Sequence, residues 1–206
     1  MKKIPLYIIC VMIIFCSACS SYNSSERGEI LSTYNAFIQS LKAKDNDRIL
    51  AFFPRDIYQH CSIDSITEVL DADYSGDVSH KLATIVSDSI LNISRIEETG
   101  EKKYALVSYV VNVRMNLKQK EHNPDTDLPK MYIIIALEKR FGEENVHFDP
   151  VTEIVNYKVS RDAYFILEPE NNNTKILPLN ESTSECLRKI IPPEILKTLS
   201  TNKSKN

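Results

Sequence analysis

The spacing of apolar residues changes once along this chain, and that change limits the folds open to it. In residues 26–44 apolar side chains recur every three or four positions, which predicts an amphipathic helix. From residue 90 onward apolar and polar residues tend to alternate, as in strands with one buried face. The helical stripe consists of Ile30, Leu31, Tyr34, Phe37, Ile38 and Leu41. Helices followed by closely spaced strands predict an α+β fold, with N-terminal helices packed on a mainly antiparallel sheet.

Further elements follow from local patterns. Short helices are predicted at residues 48–53, 62–70 and 78–86. Asp45, between the helix at 26–44 and the helix at 48–53, is a predicted capping residue. Strands are predicted at residues 90–97, 103–117, 131–141, 151–159, 163–168 and 175–179. A hairpin turn at Thr99-Gly100 joins the first two strands.

The C-terminal segment predicts two more helices. Residues 184–199 have apolar side chains at helical spacing, but Pro192-Pro193 cannot lie inside one helix. Two short helices are therefore expected, with Pro193 in the first turn of the second. Residues 26–199 form a single domain on this interpretation, and residues 200–206 form a frayed tail.

The N-terminus has the order of an export segment. Lys2 and Lys3 precede an apolar stretch over residues 4–15, and the sequence Cys-Ser-Ala-Cys-Ser-Ser follows at residues 16–21. A membrane-spanning helix needs roughly 20 apolar residues, and this stretch is shorter. The segment resembles a bacterial lipoprotein signal peptide.

That resemblance implies a specific maturation. Residues 1–18 would be removed, Cys19 would be acylated, and the serine-rich residues 19–25 would form a flexible tether. The chain is then expected in a bacterial cell envelope, lipid-anchored to a membrane, which is the outer membrane if the source has one. Ordinary secretion after Ala18 is the alternative.

The content of charged residues, histidines and cysteines limits which partners, cofactors and disulfides are expected. Loss of Lys2 and Lys3 leaves 23 basic and 28 acidic residues, and no basic patch is present, which argues against a nucleic-acid partner. The four histidines lack metal-ligand spacing and no nucleotide motif occurs, so neither a metal nor a cofactor is predicted. Cys61 and Cys186 remain in the mature chain and would form a disulfide or two buried thiols.

One stretch of the sequence resembles a known superfamily. Residues 34–45 read Tyr-Asn-Ala-Phe-Ile-Gln-Ser-Leu-Lys-Ala-Lys-Asp, and Arg-Ile-Leu at 48–50 and Phe53-Pro54 follow. This run is similar to the opening of NTF2-like (cystatin-like, cone-shaped) domains. The resemblance implies a long first helix across a strongly curved sheet, enclosing an apolar cavity that members use for catalysis, binding or dimerisation.

The same resemblance suggests site residues. Enzymes of this shape pair a tyrosine or histidine with an aspartate, which makes Tyr34 and Asp56 the catalytic candidates; core packing of Tyr34 and helix capping by Asp56 are the alternatives. Tyr34, Tyr109 and Tyr157 are candidate polar groups for an apolar ligand. The expected apolar walls are alternate residues of two strands, from Ala105 to Met115 and at 131, 133, 135 and 137.

Three functions remain open on the sequence. The first is a membrane-anchored module that binds an apolar small ligand or an envelope protein. The second is a cone-fold isomerase or dehydratase, which a buried carboxylate facing Tyr34 would favour. The third is a structural envelope-interaction protein, which a cavity filled by its own side chains would favour.

Overall fold

The computed structural model describes residues 6–61, 83–119, 130–168, 173–179 and 184–203. Within these ranges the helices are α1 (Leu6–Ala43), α2 (Asn46–Ala51), α3 (Lys130–Phe141), α4 (Ser184–Ile190) and α5 (Pro193–Lys203). The strands are β1 (Ala83–Ile93), β2 (Glu97–Thr99), β3 (Lys102–Asn116), β4 (Val146–Asp149), β5 (Ile154–Glu168) and β6 (Asn173–Leu179). Short 3-10 helices cover Arg55–Gln59, Leu117–Gln119 and Glu143–Asn145.

Helix α1 buries most of the predicted apolar stripe. Tyr34 and Phe37 are 3% and 1% exposed, and Ile30, Ile38 and Leu41 are also buried. Leu31 is 44% exposed, so its predicted place in the buried stripe is wrong. Leu31 directly follows Ile30, about 100° further around the helix, which turns it away from the sheet.

Helix α1 is longer than the sequence analysis expects. It runs from Leu6 through residues 19–25, where a flexible tether is predicted. No proline lies between residues 6 and 53 to end the helix, and the serines of this stretch are tolerated in helices. The helix therefore begins well before residue 26, where the sequence predicts its start.

The turn after α1 matches its predicted chemistry. Asp45 precedes α2, and its side chain accepts a hydrogen bond from the backbone N–H of Arg48 at 3.1 Å. Helix α2 begins two residues before the predicted segment at 48–53 and ends two residues earlier. Pro54 directly precedes the 3-10 helix Arg55–Gln59.

The sheet is open and antiparallel. The described strands follow the order β1-β3-β5-β4, while β2 pairs with β3 and β6 pairs with β5. The two central strands pair continuously from Lys103 with Leu167 to Asn116 with Ile154. The predicted Thr99-Gly100 hairpin is confirmed, with Gly100 at φ +64, a conformation that suits glycine.

Strand β3 has the two faces that its sequence predicts. The face that includes Ala105, Val107, Tyr109, Val111, Val113 and Met115 is buried throughout. On the opposite face Tyr104 and Leu106 are buried, whereas Arg114 near the other end is exposed. Helices α4 and α5 contact β6 and β3 respectively, which is why one end of this second face is covered.

Strand β1 includes residues that are predicted to be helical, and this part of the prediction is wrong. Residues 83–86 belong to this strand and not to the helix predicted at 78–86; residues 62–82, including the helix predicted at 62–70, lie outside the described ranges. The pairing of β1 with β3 shifts register at Val86 and again at Leu91, and both side chains are exposed. Such extra residues bend and twist a strand.

The predicted strand at 131–141 is wrong, because these residues form helix α3. Ile133, Ile134 and Leu137 are buried while Met131 and Ile135 are 61% and 49% exposed, which is helical and not alternating burial. The run Ala-Leu-Glu-Lys-Arg at 136–140 favours a helix. Gly142, at φ +91, ends it.

The remaining elements differ in their bounds. The two strands predicted at 151–159 and 163–168 are one strand, β5, and residues 151–153 form a turn before it. The two C-terminal helices are confirmed, with Pro193 as the first residue of α5. Helix α5 continues to Lys203, beyond residue 200 where the frayed tail is predicted to begin.

Candidate functional site

Two of the three candidate tyrosines lie together between α1 and the sheet. The ring centroids of Tyr34 and Tyr109 are 5.4 Å apart in an edge arrangement. Tyr157 pairs with Val113, four residues further along β3 than Tyr109, or about 13 Å at the usual strand rise. Its ring stacks on Phe141 at 5.3 Å. The structure therefore separates Tyr157 from the other two.

A partly buried ion pair lies beside Tyr34. Lys42 Nζ is 2.8 Å from Asp88 Oδ1, and the two side chains are 29% and 17% exposed. The Tyr34 hydroxyl is buried, with no hydrogen bond of good geometry to any described residue. Burial, followed by the negative charge of Asp88 and by Tyr109, raises the pKa of Tyr34 above that of an ordinary tyrosine. Tyr34 is therefore held as a neutral phenol.

Asp56 lies elsewhere in the fold. It is exposed in the first turn of the 3-10 helix Arg55–Gln59, where its charge acts on Lys102. The carboxylate that acts on Tyr34 belongs to Asp88.

Asp88 could not be found from alternation alone. Its register partner, Val111, lies on the buried face of β3, as do the partners of Ile85 and Ile90. Strict alternation from Ile85 would place Asp88 on the opposite face. The register shift at Val86 moves Asp88 onto the face that α1 covers.

The expected apolar walls do not form as predicted. One wall, on β3, is buried along its length, with Tyr34 and Phe37 packed over this region of the sheet. The other wall required residues 131, 133, 135 and 137 on one strand face, but helix α3 turns Met131 and Ile135 toward solvent. The α1–sheet interface is thus occupied by the protein's own side chains.

A different concavity opens on the other side of α1. It is a cleft of about 350 Å³, within the usual range of ligand sites. Helix α1 supplies one wall, α2 and the residue after it supply a second, and the start of β6 supplies a third. The lining residues are Glu29, Ser32, Thr33, Ala36, Arg48, Ala51, Phe52, Asn173 and Thr174. We call this the polar cleft.

The polar cleft is framed by backbone and side-chain bonds. Thr174 Oγ1 donates a hydrogen bond to Glu29 Oε1. Lys175 Nζ donates to the carbonyl of Ala51 at 2.9 Å, and the Ile176 N–H donates to the carbonyl of Phe52 at 2.8 Å. These contacts join β6 to both helices and place the walls of the cleft side by side.

The cleft is not among the predicted sites, although the sequence of α1 contains a pattern that indicates it. Glu29, Ser32, Thr33 and Ala36 follow the helical spacing i, i+3, i+4, i+7. They form a second stripe beside the apolar one, and three of them are small enough to leave space. A stripe of this kind becomes a cleft only when α2 and β6 stand opposite, which α1 alone cannot show.

The structure bears on the candidate disulfide of Cys61 and on possible metal ligands. Cys61 is disulfide-bonded, and the 3-10 helix that precedes it contacts α4, which contains Cys186. The side chains of Cys186 and Cys19 lie outside the described set. Among the described residues, no three His, Cys, Asp or Glu side chains are grouped as metal ligands would be. In that same part of the chain, no helix is long and apolar enough to cross a membrane.

No protein-family model matches the sequence, and none of the curated proteins is detectably similar to it. Function is therefore inferred from the cleft and from the residues around Tyr34.

Proposed function

We propose that this chain is a lipid-anchored protein of the bacterial envelope whose polar cleft binds a small ligand. The cleft carries the proposal, because it combines a ligand-sized volume with a carboxylate, a guanidinium, three hydroxyls and an amide. The N-terminal order of charge, apolar stretch and Cys19 supports the lipid anchor. The ligand site lies beside α1 and not between α1 and the sheet, where the sequence analysis expected it.

An NTF2-like cone is our proposal for the finer fold. Support comes from a long helix over an antiparallel sheet, the short helix after it, and the two register shifts in β1. In such a cone the space under α1 would be filled by Tyr34, Phe37 and Tyr109.

A substitution that fills the cleft tests ligand binding. Ala36→Trp adds a bulky indole group to the wall of the cleft, in a chain that otherwise contains no tryptophan. Asn35→Trp is the matched control, since Asn35 is the exposed neighbour on the same helix. Native mass spectrometry of each protein, purified from the bacterium that encodes it, should show a bound ligand in the parent and in Asn35→Trp only.

Two results would contradict ligand binding at the cleft. A ligand retained by Ala36→Trp would place the binding site elsewhere. A parent protein that carries no ligand would favour the structural envelope-interaction alternative, which the filled α1–sheet interface also suits.

The enzyme remains a second candidate, because a partly buried carboxylate does face Tyr34. Tyr34 would be the proton donor to a developing oxyanion and Asp88 the nearby base, with Lys42 holding Asp88 in place. We favour binding since Tyr34 is 3% exposed and Asp88 is already paired with Lys42. Turnover of a substrate that Asp88→Asn abolishes, with the fold intact, would establish the enzyme instead.

A further inference from the structure

We propose that the ligand of the polar cleft is a short peptide with free termini, its ammonium at Glu29 and its carboxylate at Arg48. This inference rests on the proposed function, and it adds the chemical class of the ligand. Three features support it: the opposite charges of two lining residues, the length of the lining stripe along α1, and the size and polarity of the walls.

The two charged lining residues have unfilled bonding capacity. Glu29 accepts a hydrogen bond from Thr174, yet a carboxylate has about four acceptor positions. Arg48 is exposed, and its guanidinium makes neither an ion pair nor a hydrogen bond with any described residue. A guanidinium presents parallel N–H groups that match a carboxylate in a bidentate pair. One site of each sign fits a ligand that carries both charges.

The order of the lining residues indicates that the two charges lie toward opposite ends of the cleft. Along α1 the lining stripe runs from Glu29 to Ala36, which is about 10 Å at the usual rise of a helix. Helix α2 begins three residues after α1 ends, so Arg48 approaches from the C-terminal end of that stripe. On β6, Thr174 bonds Glu29, while the next two residues bond the chain that follows Arg48. About 10 Å is the length of three extended peptide residues.

The walls suit a peptide with small side chains. Ser32, Thr33 and Asn173 can donate to peptide carbonyls and accept from peptide N–H groups. Ala36 and Ala51 leave room, and Phe52 supplies an apolar surface. Trialanine is therefore a suitable probe, because it combines the predicted length, small side chains and both terminal charges.

Calorimetric titration of the full-length protein compares trialanine with its N-acetylated and C-amidated forms. We expect free trialanine to bind roughly 10- to 100-fold more tightly than either blocked peptide, since each block removes one charged hydrogen-bonding group. Glu29→Gln should weaken binding of trialanine by a similar factor. In this variant acetylation of the peptide should no longer lower its affinity, whereas amidation still should. In Arg48→Gln, amidation of the peptide should no longer lower its affinity, whereas acetylation still should.

Controls separate binding from folding. Arg114→Gln removes an exposed guanidinium on the sheet, away from the cleft, and should leave every affinity unchanged. Glutamine at position 29 can still accept from Thr174, so the melting temperature should hold. Equal affinity for free and blocked peptides, or no binding of trialanine, would overturn the peptide assignment. Neither result would alter the test with Ala36→Trp, which decides separately whether the cleft binds a ligand at all.

Discussion

At the scale of single residues, burial of tyrosines links the fold to pH. Burial is the main cause that raises the pKa of Tyr34, Tyr104 and Tyr164 above the usual value near 10. In the unfolded chain these hydroxyls ionise near pH 10, whereas in the folded chain they stay neutral. The unfolded state therefore binds fewer protons above that pH, and the free energy of unfolding must fall as pH rises.

Urea unfolding at pH values from 8 to 11 measures this effect. Each such tyrosine should contribute a slope of up to about 1.4 kcal/mol per pH unit above pH 10. Tyr34→Phe should show a shallower decline than the parent, while Tyr132→Phe, at an exposed position, should decline like the parent. An identical decline for Tyr34→Phe and the parent would contradict the burial of that hydroxyl.

Phe37 makes a second residue-scale prediction. It is 1% exposed, and its ring lies 5.7 Å from that of Phe52, between α1 and the rest of the core. Phe37→Ala should reduce the free energy of unfolding by about 3 to 5 kcal/mol, through lost burial and the remaining cavity. Leu31→Ala, on the exposed side of the same helix, should cost far less. Equal melting temperatures for the two variants would show that α1 is not packed as described.

At this scale the sequence identifies the core well and the polar neighbours poorly. Helical periodicity predicts the burial of Tyr34, Phe37 and Leu41 correctly, because side chains of one stripe share one environment. It does not predict that Asp88 lies beside Tyr34, because the register shift at Val86 changes which face Asp88 occupies. A single extra residue in a strand has no clear pattern in one sequence.

At the scale of elements, helix α3 shows how a short apolar run can be misinterpreted. Met131, Ile133, Ile135 and Leu137 satisfy the period of a strand, and the β-branched isoleucines strengthen that interpretation. Ile133, Ile134 and Leu137 satisfy a helix equally well, and these are the residues that become buried. Packing against β4 and β5, together with the helix-favouring run at 136–140, decides between the two periods.

Two neighbouring isoleucines distinguish helix from strand experimentally. In α3, Ile134 is 6% exposed and Ile135 is 49% exposed. Ile134→Ala should therefore cost about 2 to 4 kcal/mol of unfolding free energy, and Ile135→Ala less than about 1 kcal/mol. The predicted strand would give the opposite ranking, because its buried face contains Ile135. Chemical denaturation of both variants provides the comparison.

At the scale of the whole molecule, the cysteines and the proposed anchor fit one assignment. On the proposed maturation, removal of residues 1–18 would take two cysteines and acylation would occupy Cys19, which leaves Cys186 as the proposed partner of the disulfide-bonded Cys61. The contact between α4 and the 3-10 helix before Cys61 supports that pairing. The bond would close a loop of more than 100 residues and tie the C-terminal helices to the N-terminal third.

Non-reducing peptide mapping of the purified protein should identify the linked pair as Cys61 and Cys186. Cys186→Ser should lower the free energy of unfolding by about 2 to 5 kcal/mol, the usual effect of losing a native disulfide. Reduction of the parent should produce a similar loss, and reduction of Cys186→Ser should produce no further loss. A Cys61 peptide linked to any other cysteine would refute the pairing.

The proposed location of the protein depends on Cys19, because a lipid anchor at this residue would determine which ligands reach the cleft. Intact mass of the protein extracted from membranes of its own host tests this proposal most directly. We predict a chain that begins at Cys19 and carries the added mass of a diacylglycerol and an N-terminal acyl group. Cys19→Ser should lack that added mass and retain residues 1–18. An unmodified chain that begins at Cys19 and is released in soluble form would contradict the account.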